Sequence, residues 1–348
     1  MKTTRLFSLI GLIAMALSCQ ELINQGENEE GKDGNKKLTR RELYSADRLL
    51  QEETVTVTTS DWGNSEQKTA VLYHYNSDGK LSLVENFDGN GKQTGKTEYT
   101  YDNKGRVVRY LYQEIGSTYT NSSVITYSSK KIVTEMVSSY DGKVTFSNVT
   151  TETFADEDCK QRLQEIYENR PSDTNKYGTV VTTTWNDNKI TGVTYYYSNG
   201  ADGKMDYKGK EFKSMDASFT QLSAREFLDE GTTYSYDCPT GETLITTSGY
   251  RNKTTYLDDE LTLLLRSESS SWNGDESNKT TAVTERTYDD DWLVLTERSY
   301  SGDNLYNDVK YTYSGNVVTV VSVFKSDYAN YTSTTTTKYT YMPFPENE

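Results

Sequence analysis

The stretch Tyr99-Thr100-Tyr101-Asp102-Asn103-Lys104-Gly105-Arg106 decides the fold. Two tyrosines one residue apart put both rings on one side of an extended chain, because side chains alternate with period two along a strand. The residues that follow are turn chemistry: an Asp side chain bonds nearby amides, and a Gly accepts a positive φ at no steric cost. A strand end followed by a tight turn is therefore predicted. The same arrangement stands at Tyr73-His74-Tyr75-Asn76-Ser77-Asp78-Gly79-Lys80, and shortened forms stand at Ile125-Thr126-Tyr127, Thr287-Tyr288-Asp289 and Tyr311-Thr312-Tyr313-Ser314-Gly315.

The spacing of this motif sets the architecture. Tyr75, Tyr101 and Tyr127 are 26 residues apart, Tyr288 and Tyr313 are 25 apart, and Tyr313 and Tyr341 are 28 apart. Such a period holds two strands, one tight turn and one further connection. A lone hairpin cannot hide its apolar side, so each must lie beside the next. Alternation supports this: Thr97, Tyr99 and Tyr101 oppose Lys96, Glu98 and Thr100, and Val108, Tyr110 and Tyr112 oppose Val107, Arg109, Leu111 and Gln113. The expected fold is all-β, a long antiparallel up-and-down meander of roughly twenty strands. So long a twisted sheet is expected to curve strongly or close into a barrel-like shape, which covers its edges. Between Cys159 and Tyr256 the period loosens, leaving room for a helical turn over Asp216 to Asp229.

These residues resemble the YD repeats of RHS-type proteins, with Tyr101-Asp102-Asn103-Lys104-Gly105-Arg106-Val107 matching the Tyr-Asp and Gly-Arg kernel. Elsewhere the Gly-Arg pair is missing or has Lys80 for Arg. The chain as a whole is similar to Bacteroidota lipoproteins with an RHS-like or porin-like meander. The resemblance covers most of residues 54 to 341; it implies a fold and an export route and no activity.

The start of the chain carries basic Lys2 and Arg5, the 12-residue apolar run Leu6–Leu17, and small Ser18 before Cys19. This is the layout of a secretory signal. The run is short of the roughly 20 residues that cross a bilayer as a helix. Ala16-Leu17-Ser18-Cys19 resembles a lipobox, with Ala16 where leucine is more common, and the resemblance implies lipidation of Cys19 after cleavage. Residues 1–18 then form the signal peptide, 19–52 the anchor and a flexible tether, and 53–348 the repeat domain. The Gly-, Asn- and Glu-rich start of the tether buries too little apolar surface to fold, while Leu43, Ala46, Leu49 and Leu50 give Arg41 to Glu53 a helical flavour. The acids behind Cys19 resemble a cell-surface signal, so the expected location is the outer membrane, lipid-anchored and displayed outward, with the periplasmic side as the alternative.

Loss of Lys2 and Arg5 with the signal leaves 35 basic residues against 52 acidic ones, a net charge of −17. Nucleic acid is thereby excluded as a partner, since binding it relies on Lys and Arg displacing counterions. Besides Cys19 there are Cys159 and Cys238, each placed just past a strand-ending aromatic and expected on one rim. A disulfide between them would require the sheet to curl back on itself.

His74 is the sole histidine, which removes histidine-paired metal sites and histidine-based triads as classes. It is read as a structural strand residue. Asp88-Gly89-Asn90-Gly91, Asp258-Asp259-Glu260 and Asp289-Asp290-Asp291 faintly resemble calcium loops, but Asp and Gly are what tight turns need. No catalytic residue, metal or cofactor is assigned. Trp62 and Trp272, both expected in long polar loops on the rim opposite the tight turns, are the candidate ligand-binding residues, because exposed tryptophans offer large rigid contact area. The sequence thus points to a non-catalytic binding or scaffold lipoprotein with a glycan or protein ligand. Two alternatives remain open: a carboxylate-dependent glycan hydrolase, whose paired acids sequence cannot locate, and an outer-membrane porin-like channel. Against the channel stand the polar second face and a mean hydropathy of −0.80.

Overall fold

The structure, a computed structural model, describes residues 40–154, 161–169, 177–198 and 207–343. A four-residue helix, α1 (Arg40–Leu43), and a 3₁₀ turn (Ala46–Arg48) precede the first strand. The strands are β1 (Leu49–Ser60), β2 (Gly63–Tyr75), β3 (Leu81–Asp88), β4 (Gln93–Tyr101), β5 (Val107–Glu114), β6 (Thr120–Tyr127) and β7 (Lys131–Tyr140). Next come β8 (Lys143–Phe154), β9 (Gln161–Asn169), β10 (Tyr177–Asn186), β11 (Lys189–Ser198), β12 (Tyr207–Lys208), β13 (Phe212–Ser223) and β14 (Glu226–Tyr236). The last are β15 (Leu244–Tyr256), β16 (Leu264–Asn273), β17 (Thr280–Tyr288), β18 (Val294–Ser301), β19 (Asn304–Ser314), β20 (Val317–Ser326) and β21 (Tyr331–Tyr341). Strand begins at Leu49, slightly ahead of the expected start of the repeat domain.

Each strand but β12 pairs antiparallel with its neighbours in order, β11 with β13, and β1 pairs with β21 from Leu49↔Tyr341 to Thr59↔Thr332. The meander is therefore a closed up-and-down barrel of 20 strands, with β12 as one extra short strand beside the end of β11. Closure removes both sheet edges, as expected for so long a sheet. The closing seam is polar, with Thr54 bonded to Thr337 at 3.2 Å and Thr56 to Thr335 at 3.1 Å. The helical turn expected over Asp216 to Asp229 is instead the β13–β14 hairpin, with Ala217↔Gly231 and Phe219↔Asp229 in register. Its Thr, Phe and Ser content favours extended chain once two neighbouring strands are present to pair with it.

The tyrosines explain the period. Tyr75 Oη donates to the carbonyl of Leu49 (2.8 Å), Tyr101 to Leu81 (2.7 Å) and Tyr127 to Val107 (3.1 Å). Tyr288 donates likewise to Leu264 (2.7 Å) and Tyr313 to Val294 (2.9 Å). In each case the last residues of a hairpin reach back to the first residue of the same hairpin, sealing its open end. The next residue caps the turn into the following hairpin. Asp102 Oδ1 accepts from the amides of Lys104 and Arg106, both at 2.9 Å, and Asn76 and Asp289 do the same in their own turns. Gly79 and Gly105 hold the positive φ these turns need, and Trp292 holds it at +62° in the Asp289 turn. We call this end of the barrel the tyrosine rim. Both described chain ends meet there: Met342 N donates to Arg48 O at 2.7 Å, and the Tyr44 ring sits 5.1 Å from Tyr313 and 5.4 Å from Tyr341.

The two walls differ in chemistry. Inward side chains converge in a closed barrel and outward ones diverge, so the face that is consistently less exposed is the inner one. On β4 this face carries Gly95, Thr97, Tyr99 and Tyr101, while Thr94, Glu98 and Thr100 are exposed. The inner face continues around the wall through Tyr99↔Tyr110, Tyr110↔Ser123 and Ser123↔Met136. It is lined mainly by Thr, Ser and Tyr, with apolar residues such as Val309 and Val318 between them. Burial raises the pKa of Tyr99, Tyr311 and Tyr339, and that of Tyr73 to about 12, where the Glu52 carboxylate adds to the shift. The outer wall carries ion pairs on β1 to β4, β14, β15, β18, β19 and β21, including Glu53–Lys338 (3.6 Å), His74–Glu85 (2.8 Å), Lys96–Glu98 (2.6 Å), Arg251–Glu230 (2.9 Å) and Arg298–Asp308 (3.2 Å).

Candidate functional site

The far rim, opposite the tyrosine rim, presents the most exposed aromatic side chains of the barrel. Trp62 is 72% exposed in the two-residue turn between β1 and β2, and Tyr328 is 74% exposed between β20 and β21. Their ring centroids are 5.5 Å apart with the planes at 64°, forming an open corner. Three hydrogen bonds lock the two turns together. Asp61 N donates to Ala329 O at 3.0 Å, and Asn330 Nδ2 donates to both oxygens of the Asp61 carboxylate, at 3.1 and 3.2 Å. The neighbouring hydroxyls fix the tips, since Ser60 Oγ accepts from Trp62 N and Ser326 Oγ from Tyr328 N, each at 3.2 Å.

This display carries a conformational cost. Ala329 and Asn330 both have left-handed backbones, at φ 56° and 47°. Asn tolerates that region, but for Ala it costs roughly 1–2 kcal/mol. Strained residues persist where surrounding contacts over-determine them, and they concentrate at binding sites.

Trp62 is on the expected rim, in a two-residue turn between long strands rather than a long polar loop. Trp272 is not in a loop. It is the penultimate residue of β16, and its ring lies flat over Gly249 on the outer wall, with Cε2 and Cζ2 2.1 and 2.2 Å from where a Gly249 Cβ would stand. Glycine at 249 is what lets an indole bury against the sheet there, a requirement invisible from the spacing of Trp272 alone. Six strand-to-strand steps separate Trp62 on β1–β2 from Trp272 on β16, on the order of 29 Å along the wall at about 4.8 Å per step. The two tryptophans form no joint site, and the partner of Trp62 is Tyr328. Sequence reasoning missed Tyr328 because its turn, Asp327-Tyr328-Ala329-Asn330, lacks the Gly that marks most of the other turns.

A second feature lies on the inner wall near the same rim. An open depression of about 510 Å³ is lined by Ser248, Tyr250, Ser271 and Thr280, among others, and Gly249 and Trp272 border it. Tyr250 Oη donates to Asp229 Oδ1 at 3.2 Å, and the ring lies against Gly231, whose missing side chain makes the room. Burial pushes the Asp229 carboxyl above its ordinary range against the bond from Tyr250, and its Oδ2 has no hydrogen-bond partner. Beside it, Phe219 stacks on Phe227 with centroids 5.2 Å apart.

The remaining sequence candidates are architectural. His74 points outward and bonds Glu85 at 2.8 Å. The acidic turns spend their carboxylates on turn amides: Asp88 on Asn90 and Lys92, Asp258 on Thr262 and Leu263, and Asp289 on Asp291 and Leu293. Among the described residues no cluster of three or more His, Cys, Asp or Glu side chains is arranged to hold a metal. The inner carboxylates each have local company: Glu52 accepts from Tyr73, Glu152 from Gln164, and Glu297 pairs with Arg286 at 2.7 Å. Glu52, Glu297 and Asp229 stand four strand-steps apart in succession, on the order of 19 Å along the wall. Glycoside hydrolysis needs a carboxyl pair within about 5–9.5 Å, so these neighbours do not form one. Cys238 lies at the far rim, in the turn after β14. Cys19 and Cys159 lie outside the described residues. The strand that precedes Cys159, β8, ends at Phe154 on the tyrosine rim, so the described flank does not support the expected shared rim.

No protein-family model matches the chain, and no curated protein matches it. Solved structures do. A triple mutant of the Rhodopseudomonas blastica porin is 8% identical, with a TM-score of 0.34, and the match covers 84% of this chain and 98% of that one. The Pseudomonas aeruginosa protein OccK10 is 7% identical, with a TM-score of 0.38 and coverage of 84% and 97%. A chain described as a bacterial polysaccharide outer membrane secretin is 10% identical, with a TM-score of 0.31 and coverage of 85% and 99%. At this identity and superposition the likeness carries nothing about conduction, membrane insertion or ligand.

Proposed function

We propose that this chain is an exported lipoprotein, held at the outer membrane through Cys19, whose barrel stands in water and serves as a non-catalytic binding module. The observation that carries the reading is the outer wall. An Arg or Lys facing lipid at the bilayer midplane costs about 2–4 kcal/mol, and ion-paired charges recur on this wall on β1, β4, β14 to β19 and β21. Water, by contrast, leaves such pairs nearly neutral in energy. A barrel of this kind needs a separate attachment to stay at a membrane, and the N-terminal segment that would carry it leaves from the tyrosine rim. That arrangement turns the far rim, with Trp62 and Tyr328, toward whatever the protein meets.

The test is metabolic palmitate labelling with carbonate extraction of membranes. Wild-type protein is expected to take label and stay in the pellet, and Cys19→Ser to lose label and enter the supernatant. A Cys19→Ser protein that remained in the carbonate-washed pellet would sink the reading.

A second reading, a porin-like outer-membrane channel, is favoured by closure and by the 20-strand circumference. It requires a continuous apolar belt on the outside. Reconstitution in a planar bilayer separates the two: stepwise single-channel conductance would establish the channel, and its absence is expected of the anchored barrel.

A further inference from the structure

We propose that the corner formed by Trp62 and Tyr328 is the ligand-contact site of the far rim and that its ligand is a neutral saccharide. The inference rests on the binding-module reading above and names its site and chemical class. Both rings are about three-quarters exposed, yet they are held in place, because the backbone bond from Asp61 to Ala329 and the clamp from Asn330 to Asp61 tie their turns together. Two consecutive left-handed residues without glycine are kept in this loop. They raise Tyr328 against Trp62 and bury nothing, so the strain is spent on display.

The chemistry around the corner selects the ligand. An aromatic face accepts the apolar C–H side of a sugar ring, and the large rigid rings lose little entropy on contact. The Asp61 carboxylate retains lone pairs beyond those engaged by Asn330, and Ser60 precedes it in the chain, which suits vicinal hydroxyls. A protein partner would call for a broader contact surface, on the order of 800 Å² on each side; here two rings stand out above a narrow pair of turns. Charge narrows the class further. Asp61, Asp141, Asp275, Asp303 and Asp327 lie in turns of this rim and Asp88 ends β3 there, against Lys92 and Lys279 in the same turns, so an acidic polysaccharide would be repelled. The inner-wall group of Asp229 is a separate feature and plays no part here.

The experiment is affinity gel electrophoresis of the full chain, purified in mild detergent, through gels containing amylopectin, mixed-linkage β-glucan, arabinoxylan or α-mannan. At least one of these neutral polymers is expected to retard the wild type. The Trp62→Ala, Tyr328→Ala double variant should lose at least tenfold in apparent affinity with an unchanged melting temperature, and Asn330→Gly, which keeps the backbone allowed and removes the clamp, should lose less. Trp292→Ala, on the opposite rim, serves as the control and should bind as wild type. Equal retardation of wild type and double variant would overturn the site while leaving the binding module standing. Failure of all four polymers to retard the wild type would overturn the saccharide assignment, and so would a double variant whose defect is confined to capture of a protein partner.

Discussion

The two rims of this barrel use the same residue types for opposite ends. At the tyrosine rim, Tyr75, Tyr101, Tyr127, Tyr288 and Tyr313 turn inward and give their hydroxyls to backbone carbonyls. At the far rim, Trp62 and Tyr328 turn outward and cover nothing. The difference teaches that the repeat is a fastening device, repeated because each hairpin has one open end to seal. The proposed binding corner lies on the rim where the repeat leaves off. Aromatic content alone did not distinguish them; the presence of a carbonyl within reach did.

Breaking the fastening should give the largest effect. Tyr75→Phe, Tyr101→Phe and Tyr127→Phe together remove three hydrogen bonds worth about 1 kcal/mol each, so urea unfolding should show a loss of about 3 kcal/mol. The paired Trp62→Ala and Tyr328→Ala changes at the far rim should shift stability by less than about 0.5 kcal/mol. A far-rim loss as large as the triple change would erase the contrast.

Next in size is Gly249→Ala. A methyl group there meets the Trp272 ring, and overpacking of this kind costs about 1–3 kcal/mol. Stability should fall and the Trp272 fluorescence should move toward that of a solvated indole. An unchanged spectrum would mean that the ring does not lie over Gly249.

A pH series sharpens the comparison between turn and wall. At Asp102, burial pushes upward, but bonds from the Arg106 amide and guanidinium and the Lys104 amide prevail and hold the pKa below its ordinary value. Its contribution is present above the ordinary carboxylate pKa and is lost as pH falls through the depressed one. Asp102→Asn should therefore cost about 1 kcal/mol at neutral pH and converge with wild type in acid. Asp229 behaves in reverse. Its raised pKa means that the stability it lends is full in acid and disappears as pH rises through the folded value. Asp229→Asn should thus gain on wild type as pH is raised above about 4, read as a melting-temperature difference that grows with pH. Parallel curves for the two variants would show that they share one environment.

The smallest expected effect is at Trp292, which holds φ +62° where equivalent turns have glycine. Trp292→Gly relieves that strain at the expense of a more flexible unfolded chain, and a net gain of about 0.5–1 kcal/mol is expected in thermal unfolding. A loss would mean that the Trp292 ring makes contacts that outweigh its backbone.

Much of the fold was legible from a few residues. The alternation in Thr97, Tyr99 and Tyr101 and the Asp102 turn specify hairpins by local geometry, and their period specifies many of them. The site was legible only in part. Trp62 stood out by type and by its polar neighbours, whereas Tyr328 did not, because its turn has no glycine to announce it. Trp272 misled, since a Trp-Asn-Gly string reads as a loop until Gly249 on the neighbouring strand is seen beneath the ring.

Sequence by itself determined strand, turn and their alternation, because those depend on side chains within a few residues of one another. It also determined the net acidity, which is a sum over composition. The closing seam of β1 with β21, the inward or outward sense of each face, and the meeting of Trp62 with Tyr328 were decided only in three dimensions. The seam and the corner each join residues more than two hundred and sixty positions apart, and no local preference encodes which distant strand arrives alongside.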